Sequence, residues 1–534
     1  MTYGNEKIKK WSGCIFCSIV ILQVFLAAFM FSRHGSFYYW DTFYTFQDLH
    51  YASASTPSRH YIVNDSDFVD NEWIPASFVK NRLVVEREDS VMNDTPGEIL
   101  WNLYKRPYWT IVNILQALFV PGKMDGWPAI AFNLVLFIAI QMMLYKMINK
   151  YSRSCETAML AVILYGFSGM IVSLNSYIRF YIFSCFLCVL FTFLHMLIWE
   201  QDIRKWYKIL IYEVVALLCA KWSIEASQFS LFLVLIFIGM FYIALVAHKR
   251  WGMMCIYAAP CVAGGYYLFA KTNYIYMLSH LRDAYENATG PTYWVLSSVM
   301  TLSPITFLER AVHEGAYIGK FAYGYLPVFV LFIVLSIFCF LRWKKDSFFL
   351  HPMERVMFGT LIGYFLVATA LHFYTEVRYS THGWFLIAWF TAKMMLFFKN
   401  HINNKVIANI VITIMVVSVI LPSVSGKRVV YVMRIGEELE ERLSKQNIEY
   451  TVVSYYGDCG ESNDTIYQAV SLLNDDSYFM AAGDINAVAD KLPDELMLAT
   501  RDYSNHIDDC LALGYEVKWK EVAGLYEYYY LVSE

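Results

Sequence analysis

Apolar positions gather into long runs along this chain. Short charged turns and three longer polar segments separate them. A helix needs about 20 apolar residues to cross the hydrocarbon of a bilayer. By that rule the runs predict about eleven spans, near residues 12–32, 127–147, 156–175, 177–199, 207–224, 226–247, 253–270, 324–342, 354–372, 381–398 and 405–424. Charge tests the alternation. With the N-terminus inside, the predicted cytoplasmic turns carry Lys146, Lys150 and Arg153, then Arg204, Lys205 and Lys208, then Lys249 and Arg250. Arg342, Lys344, Lys345 and Arg355 follow, and finally Lys399 and Lys405. Short inside loops are basic and most short outside turns are nearly bare, which is the positive-inside pattern. Lys7, Lys9 and Lys10 precede the first run, but no small-residue cleavage site follows it, so it reads as an uncleaved first span.

Three outer segments are large. The first, residues 33–125, is polar at Asn64–Asp67 and Asn93–Glu98, then apolar from Tyr108 to Val120. That last piece is too short to span and ends at Pro121-Gly122, which predicts a helix on the membrane surface. The second runs from Lys271 to about Tyr323. It mixes aromatics with Arg282, Asp283, Glu286, Arg310 and Glu314 and predicts further surface helices. The third follows about residue 426, so residues 1–425 form a membrane domain and 426–534 a small outer α/β domain. There, strands at Val429–Val432, Tyr450–Val453, Tyr478–Met480 and Leu496–Thr500 alternate with helices at Glu437–Gln446, Asp464–Leu473 and Ile485–Lys491. Two more segments, 516–520 and 525–532, close the chain. The alternation predicts a mostly parallel sheet. No Gly-rich loop follows a strand, which argues against a nucleotide site.

Composition strengthens the membrane reading. The 534 residues are 58% hydrophobic and 16% charged, with a mean hydropathy of +0.40, against about 45–50% and 25% in soluble chains. A formal charge of −4, with no long basic run, gives no sign of nucleic-acid binding. Most cysteines lie in apolar runs, where a thiol behaves as a small hydrophobe. Cys459 and Cys510 lie in the outer domain and are open to a disulfide or to remaining thiols.

Ionisable residues at the ends of spans are costly, and therefore informative. Four sites map to the outer side. Asp41 sits among aromatics in Ser36-Phe37-Tyr38-Tyr39-Trp40-Asp41-Thr42-Phe43-Tyr44-Thr45. It reads as a general base in a half-dry setting or as an interfacial carboxylate ending a helix. Arg179, in a tight turn between spans, suits a phosphate, or it snorkels to the interface. Lys221 adds positive charge near a phosphate or pairs with Glu225. Arg378, in Thr375-Glu376-Val377-Arg378-Tyr379, binds an anion or pairs with Glu376. Three cations near Asp41 would favour its ionised form. No His/Cys set has metal spacing, so no metal or other cofactor is predicted, and no nucleophile elbow or dinucleotide fingerprint occurs.

These motifs resemble the integral-membrane type C (GT-C) glycosyltransferases, in the bacterial branch related to protein O-mannosyltransferases and lipid A sugar transferases. That branch has an aspartate just after the first span, usually followed by glutamate; here Asp41 is followed by Thr42. Lys105-Arg106-Pro107-Tyr108-Trp109 resembles a histidine- and proline-rich segment opening the surface helix. Asn175-Ser176-Tyr177-Ile178-Arg179-Phe180-Tyr181 resembles a turn that carries an acid where Tyr177 stands. Arg378-Tyr379 resembles a late Arg-Tyr pair. The resemblance covers roughly residues 12–400. It implies sugar transfer from a polyprenyl-phosphate carrier in the membrane to an extracytoplasmic glycan, lipid or protein, at the bacterial inner membrane. Asp41 would act as base, Arg179, Arg378 and Lys221 would hold the phosphate, and Tyr44, Tyr379 and Glu376 would line the sugar or acceptor site. The competing classes are a transporter or flippase and a polysaccharide polymerase or ligase. Inverted repeats and broken helices, which a transporter would carry, are not legible in the chain.

Overall fold

The computed structural model describes residues 2–33, 41–50, 71–271, 290–321, 326–342, 348–372, 377–429, 448–454, 463–501, 506–523 and 526–533. The expectations at Asn64–Asp67, Arg282–Glu286, Glu376, most of 429–432, 437–446 and Cys459 fall outside these residues. By its internal contacts the chain forms two units. One holds residues 1–27, 133–175 and 180–429; the other holds 28–132, 176–179 and 430–534.

The first unit is helical because backbone groups in hydrocarbon must be satisfied within their own segment. Each predicted span coincides with helix, and the chain is a multi-pass membrane protein. Six described helices are long and apolar enough to cross a bilayer: Ser12–Ser32, Trp127–Tyr151, Tyr181–Glu200, Ser230–Ala247, Pro352–Ala370 and Lys405–Val424. A seventh is added if the bent pair Cys155–Gly166 and Gly169–Asn175 counts as one span. The expected eleven are therefore not reached by this measure. The helix Trp206–Ala226 carries Lys208, Glu213, Lys221 and Glu225, which lower its hydropathy. Trp384–His401 is buried along most of its length. It holds Lys393 in an ion pair with Glu354, whose carboxylate also accepts from Ser152 Oγ at 2.7 Å.

The bent pair corrects the expectation of unbroken spans, since its halves meet at 63°. Gly166, the last residue of the first half, has no room for a side chain: a Cβ there would lie 2.3 Å from the Gln141 and Gln23 amides. Those amides bond each other at 2.9 Å, and Gln23 Nε2 donates to the Val162 carbonyl at 3.0 Å.

The second unit is built on a six-stranded sheet: β1 Ile74–Pro75, β2 Tyr450–Ser454, β3 Tyr478–Ala482, β4 Glu495–Arg501, β5 Tyr515–Ala523 and β6 Tyr526–Ser533. Their order is β1-β3-β2-β4-β6-β5. Only the central β3-β2-β4 trio is parallel, so the sheet is mixed rather than mostly parallel. The chain after β4 returns as an antiparallel hairpin, and an edge strand arrives from the first outer segment. One sheet face packs Val452, Met480, Leu498, Tyr529 and Leu531 with Cys510 in a continuous core. The segment expected as a surface helix is Pro107–Phe119. It buries Tyr108, Val112, Asn113 and Gln116 and exposes Leu118 and Phe119. In the first unit, the second outer segment contributes the helices Gly290–Met300 and Pro304–Phe321.

Candidate functional site

In the second unit, Asp41 is the first residue of the helix Asp41–His50. The side chains of Asp41 and Tyr44 lie outside the described residues. The helix buries Thr42, Phe43, Thr45, Phe46 and Leu49. Thr42 stands where the resembling family has a second acid, and it is 2% exposed. A carboxylate at that position would be desolvated, so threonine suits the site this chain builds.

Three contacts fix this helix, each from a distant part of the chain. Thr45 Oγ1 donates to the Ile178 carbonyl at 2.7 Å, and both residues are buried. Phe43 stacks on Tyr467 of the helix Asn463–Leu472, ring centroids 5.8 Å apart. Asn113 Nδ2 donates to the Leu49 carbonyl, while its Oδ1 accepts from Ser90 Oγ at 2.9 Å and the Val91 amide at 3.1 Å. Ile178 is seated in turn by Gly126, where a Cβ would come within 2.2 Å of Ile178 Cδ1. Arg179 follows Ile178 directly and is half-buried. Its amide donates to the Tyr177 carbonyl at 2.8 Å, closing the turn. Tyr177 is 1% exposed. Thus Thr45, one turn into the helix Asp41–His50, bonds the residue that precedes Arg179 within one unit.

In the first unit, Arg378 lies in the 3₁₀ turn Val377–Gly383 and is 8% exposed. Its guanidinium sits 5.6 Å from the Tyr181 ring centroid and 5.3 Å from that of Tyr379, within cation–π range. Tyr379 leans on Phe229 at 4.6 Å. The turn is tied down by Thr381 Oγ1 donating to the Arg378 carbonyl at 2.9 Å, and by His382 Nε2 with Ser184 Oγ at 3.0 Å. Tyr364 OH donates to the Tyr379 carbonyl at 3.4 Å. Gly383 leaves room for that ring, 2.6 Å from where a Cβ would stand. Lys221 pairs with Glu225 at 2.8 Å, one helical turn on. Glu376 lies outside the described residues.

Sequence reasoning missed the supports Thr45, Asn113, Gly126 and His382. It placed Arg310 and Glu314 in an outer segment expected to hold surface helices and gave them no role. Both are buried on the helix Pro304–Phe321. Arg310 donates to the carbonyls of Ala370 at 2.5 Å and Ser298 at 3.1 Å. Glu314 accepts from Thr369 Oγ1, and its other oxygen lacks a hydrogen-bond partner among the described residues. Burial pushes its carboxyl up to about 7, against the opposing pull of that hydrogen bond. Among the described residues no three His, Cys, Asp or Glu side chains gather to hold a metal ion.

No family model matches the chain, and no curated protein sequence does. Two solved structures of ArnT from Cupriavidus metallidurans align with it. The one bound to undecaprenyl phosphate is 9% identical, with a TM-score of 0.48 over 97% of each chain. The apo structure is 10% identical, with a TM-score of 0.48 over 98% of each chain.

Proposed function

We propose that this multi-pass membrane protein is a glycosyltransferase. It moves a sugar from a polyprenyl-phosphate carrier to an acceptor on the outer side of the bacterial inner membrane, with its N-terminus cytoplasmic and its C-terminal fold outside. Asp41 takes the proton of the acceptor hydroxyl as that oxygen attacks the anomeric carbon. The bond from that carbon to the phosphate oxygen breaks on the opposite face, and its electron pair leaves with the polyprenyl phosphate. One displacement inverts the anomeric centre. Charge grows on the phosphate in the transition state, where fixed cations are worth most. Arg179 and Arg378 supply them, and the fork of each guanidinium fits two phosphate oxygens. Lys221 adds positive charge while paired with Glu225, and Tyr44, Tyr379 and Glu376 line the sugar and acceptor. The phosphate leaves without a proton donor.

The observation that carries this reading is the anchoring of the Asp41 helix beside the Arg179 turn through Thr45 and the Ile178 carbonyl. An acid suited to deprotonating a hydroxyl begins the helix that an arginine-bearing turn holds. The test is glycan analysis by mass spectrometry of cells carrying wild type or Asp41→Asn. The variant is expected to accumulate normally and to lose product; full product from it removes Asp41 as the base.

The bent pair Cys155–Gly166 and Gly169–Asn175 supports a second reading, a transporter of lipid-linked sugars, since broken helices recur in such proteins. Following a labelled lipid-linked sugar across proteoliposomes separates the two. Translocation without transfer to an acceptor favours the transporter.

A further inference from the structure

We infer that Thr45 is a positioning residue for the transfer, setting the distance between the base and the phosphate-binding arginine. This rests on the glycosyltransferase reading above. A threonine within a helix commonly turns its hydroxyl back to the carbonyl four residues earlier. That carbonyl here belongs to Asp41. Thr45 donates outward, at 2.7 Å, to the Ile178 carbonyl 133 residues further along the chain. Thr45 and Ile178 are 0% and 1% exposed, so water cannot replace the bond.

The position of the anchor gives it consequence. Residues four apart share a helix face, so Thr45 stands one turn below Asp41, about 6 Å along the axis. Ile178 is one residue from Arg179, about 3.8 Å between Cα atoms. A single hydrogen bond therefore links the residue a turn away from the base with the residue next to the phosphate ligand. β-Branching limits the Thr45 side-chain torsion to two favoured settings, and the bond to Ile178 selects one of them. Gly126 packs the Ile178 side chain, since a Cβ there would meet Ile178 Cδ1 at 2.2 Å and Phe31 Cζ at 2.8 Å. In-line displacement requires the base and the departing phosphate on opposite sides of one carbon. A change of about 1 Å in their separation can lower the rate some 100-fold while each group still binds its own partner.

The test uses Thr45→Val, which keeps the shape and removes the donor, beside Thr45→Ser, which keeps the hydroxyl, and Asp41→Asn. Transfer is measured in host membrane vesicles with their endogenous lipid-linked donor, as a function of pH. Binding is measured on purified full-length protein with undecaprenyl phosphate as the probe. Thr45→Val is expected to slow transfer about 10- to 100-fold and to leave undecaprenyl phosphate affinity within about twofold. It is also expected to move the acidic limb of the rate profile to higher pH, because a more distant Arg179 holds the Asp41 carboxylate ionised less well. Thr45→Ser is expected to recover most of the rate and the original limb. If Thr45→Val does not accumulate, Thr45→Cys, a weaker donor of similar size, is judged by the same limb and affinity. A wild-type rate and limb in Thr45→Val beside an inactive Asp41→Asn overturns the positioning role and leaves the base in place. Loss of rate together with loss of affinity also overturns it, as a purely structural defect. A fully active Asp41→Asn removes the glycosyltransferase reading, and this inference with it.

Discussion

The helix Asp41–His50 is ten residues long and hangs on Asn113, Ile178 and Tyr467, contributed from three distant parts of the chain. The turn Val377–Gly383 is seven residues long and is wedged among Tyr181, Ser184, Phe229 and Tyr364. A helix of ten residues is not stable alone in water, so the first element exists only through its remote contacts. The second is held by close packing within a bundle, where displacing any ring disturbs several others. Geometry at Asp41 can therefore be loosened one contact at a time without unfolding the protein. Geometry at Arg378 is inseparable from the stability of the bundle around it.

The largest effect should come from the acid itself. Asp41→Asn removes a general base and is expected to cut product about 1,000-fold, with thermal stability unchanged. A change confined to stability would mean that the short helix, not its carboxylate, is what matters. Next comes Arg378→Lys, which keeps the charge but loses the fork and the stacking on Tyr181 and Tyr379. It should weaken polyprenyl-phosphate binding about tenfold and also lower the unfolding temperature of the purified protein. Loss of binding with no loss of stability would erase the contrast drawn between the two elements.

Asn113→Ala is a milder intervention on the first element. It leaves the buried Leu49 carbonyl, Ser90 hydroxyl and Val91 amide without this partner, at roughly 2 kcal/mol. Because it frays the end of the helix away from Asp41, transfer should fall only about threefold to tenfold, which rate assays in vesicles would show. The smallest effect belongs to Glu314. Its carboxyl titrates at about 7 when folded and near 4.5 when unfolded. Between those values the folded protein binds more protons. Glu314 therefore lowers stability progressively as pH rises from about 4.5 to 7, by at most about 3 kcal/mol, and not further above that. Glu314→Gln should flatten the dependence of unfolding temperature on pH over that window and leave the transfer rate at pH 6 unchanged.

Much of this was legible in the chain, for identifiable reasons. Long apolar runs mark helices because hydrocarbon leaves the backbone no other solution, so the helix positions could be read within a few residues. The number of crossings could not, because Glu213, Lys221 and Glu225 lie inside an otherwise apolar helix. The bend between Gly166 and Gly169 was hidden in a continuous apolar stretch, and the amides packed beside it, from Gln23 and Gln141, lie elsewhere in the sequence. The strands of the C-terminal fold were readable from their β-branched and aromatic runs. Their directions were not, since the hairpin β5–β6 and the two-residue β1 break the alternation. At the candidate site the charged residues announced themselves by their cost near a membrane. Their supports did not. Thr45 and Asn113 look like ordinary polar residues until the fold brings them to carbonyls 133 and 64 positions away.

The edge strand β1 has one further consequence, for the order in which the protein is made. Ile74 and Pro75 pair with Phe479 and Tyr478, flanked by the Asn71 amide on Ala481 and the Ala76 amide on Ser477. Tyr478, the partner of Pro75 in β3, lies 403 positions further along the chain. A nascent chain emerging at about 5–20 residues per second thus keeps this strand unpaired for tens of seconds while the bundle is inserted. Pro75, which lacks an amide hydrogen, makes it a poor template for wrong partners in that interval. A ribosome stalled before β3 would leave the sheet open at the very place where its earliest piece is waiting.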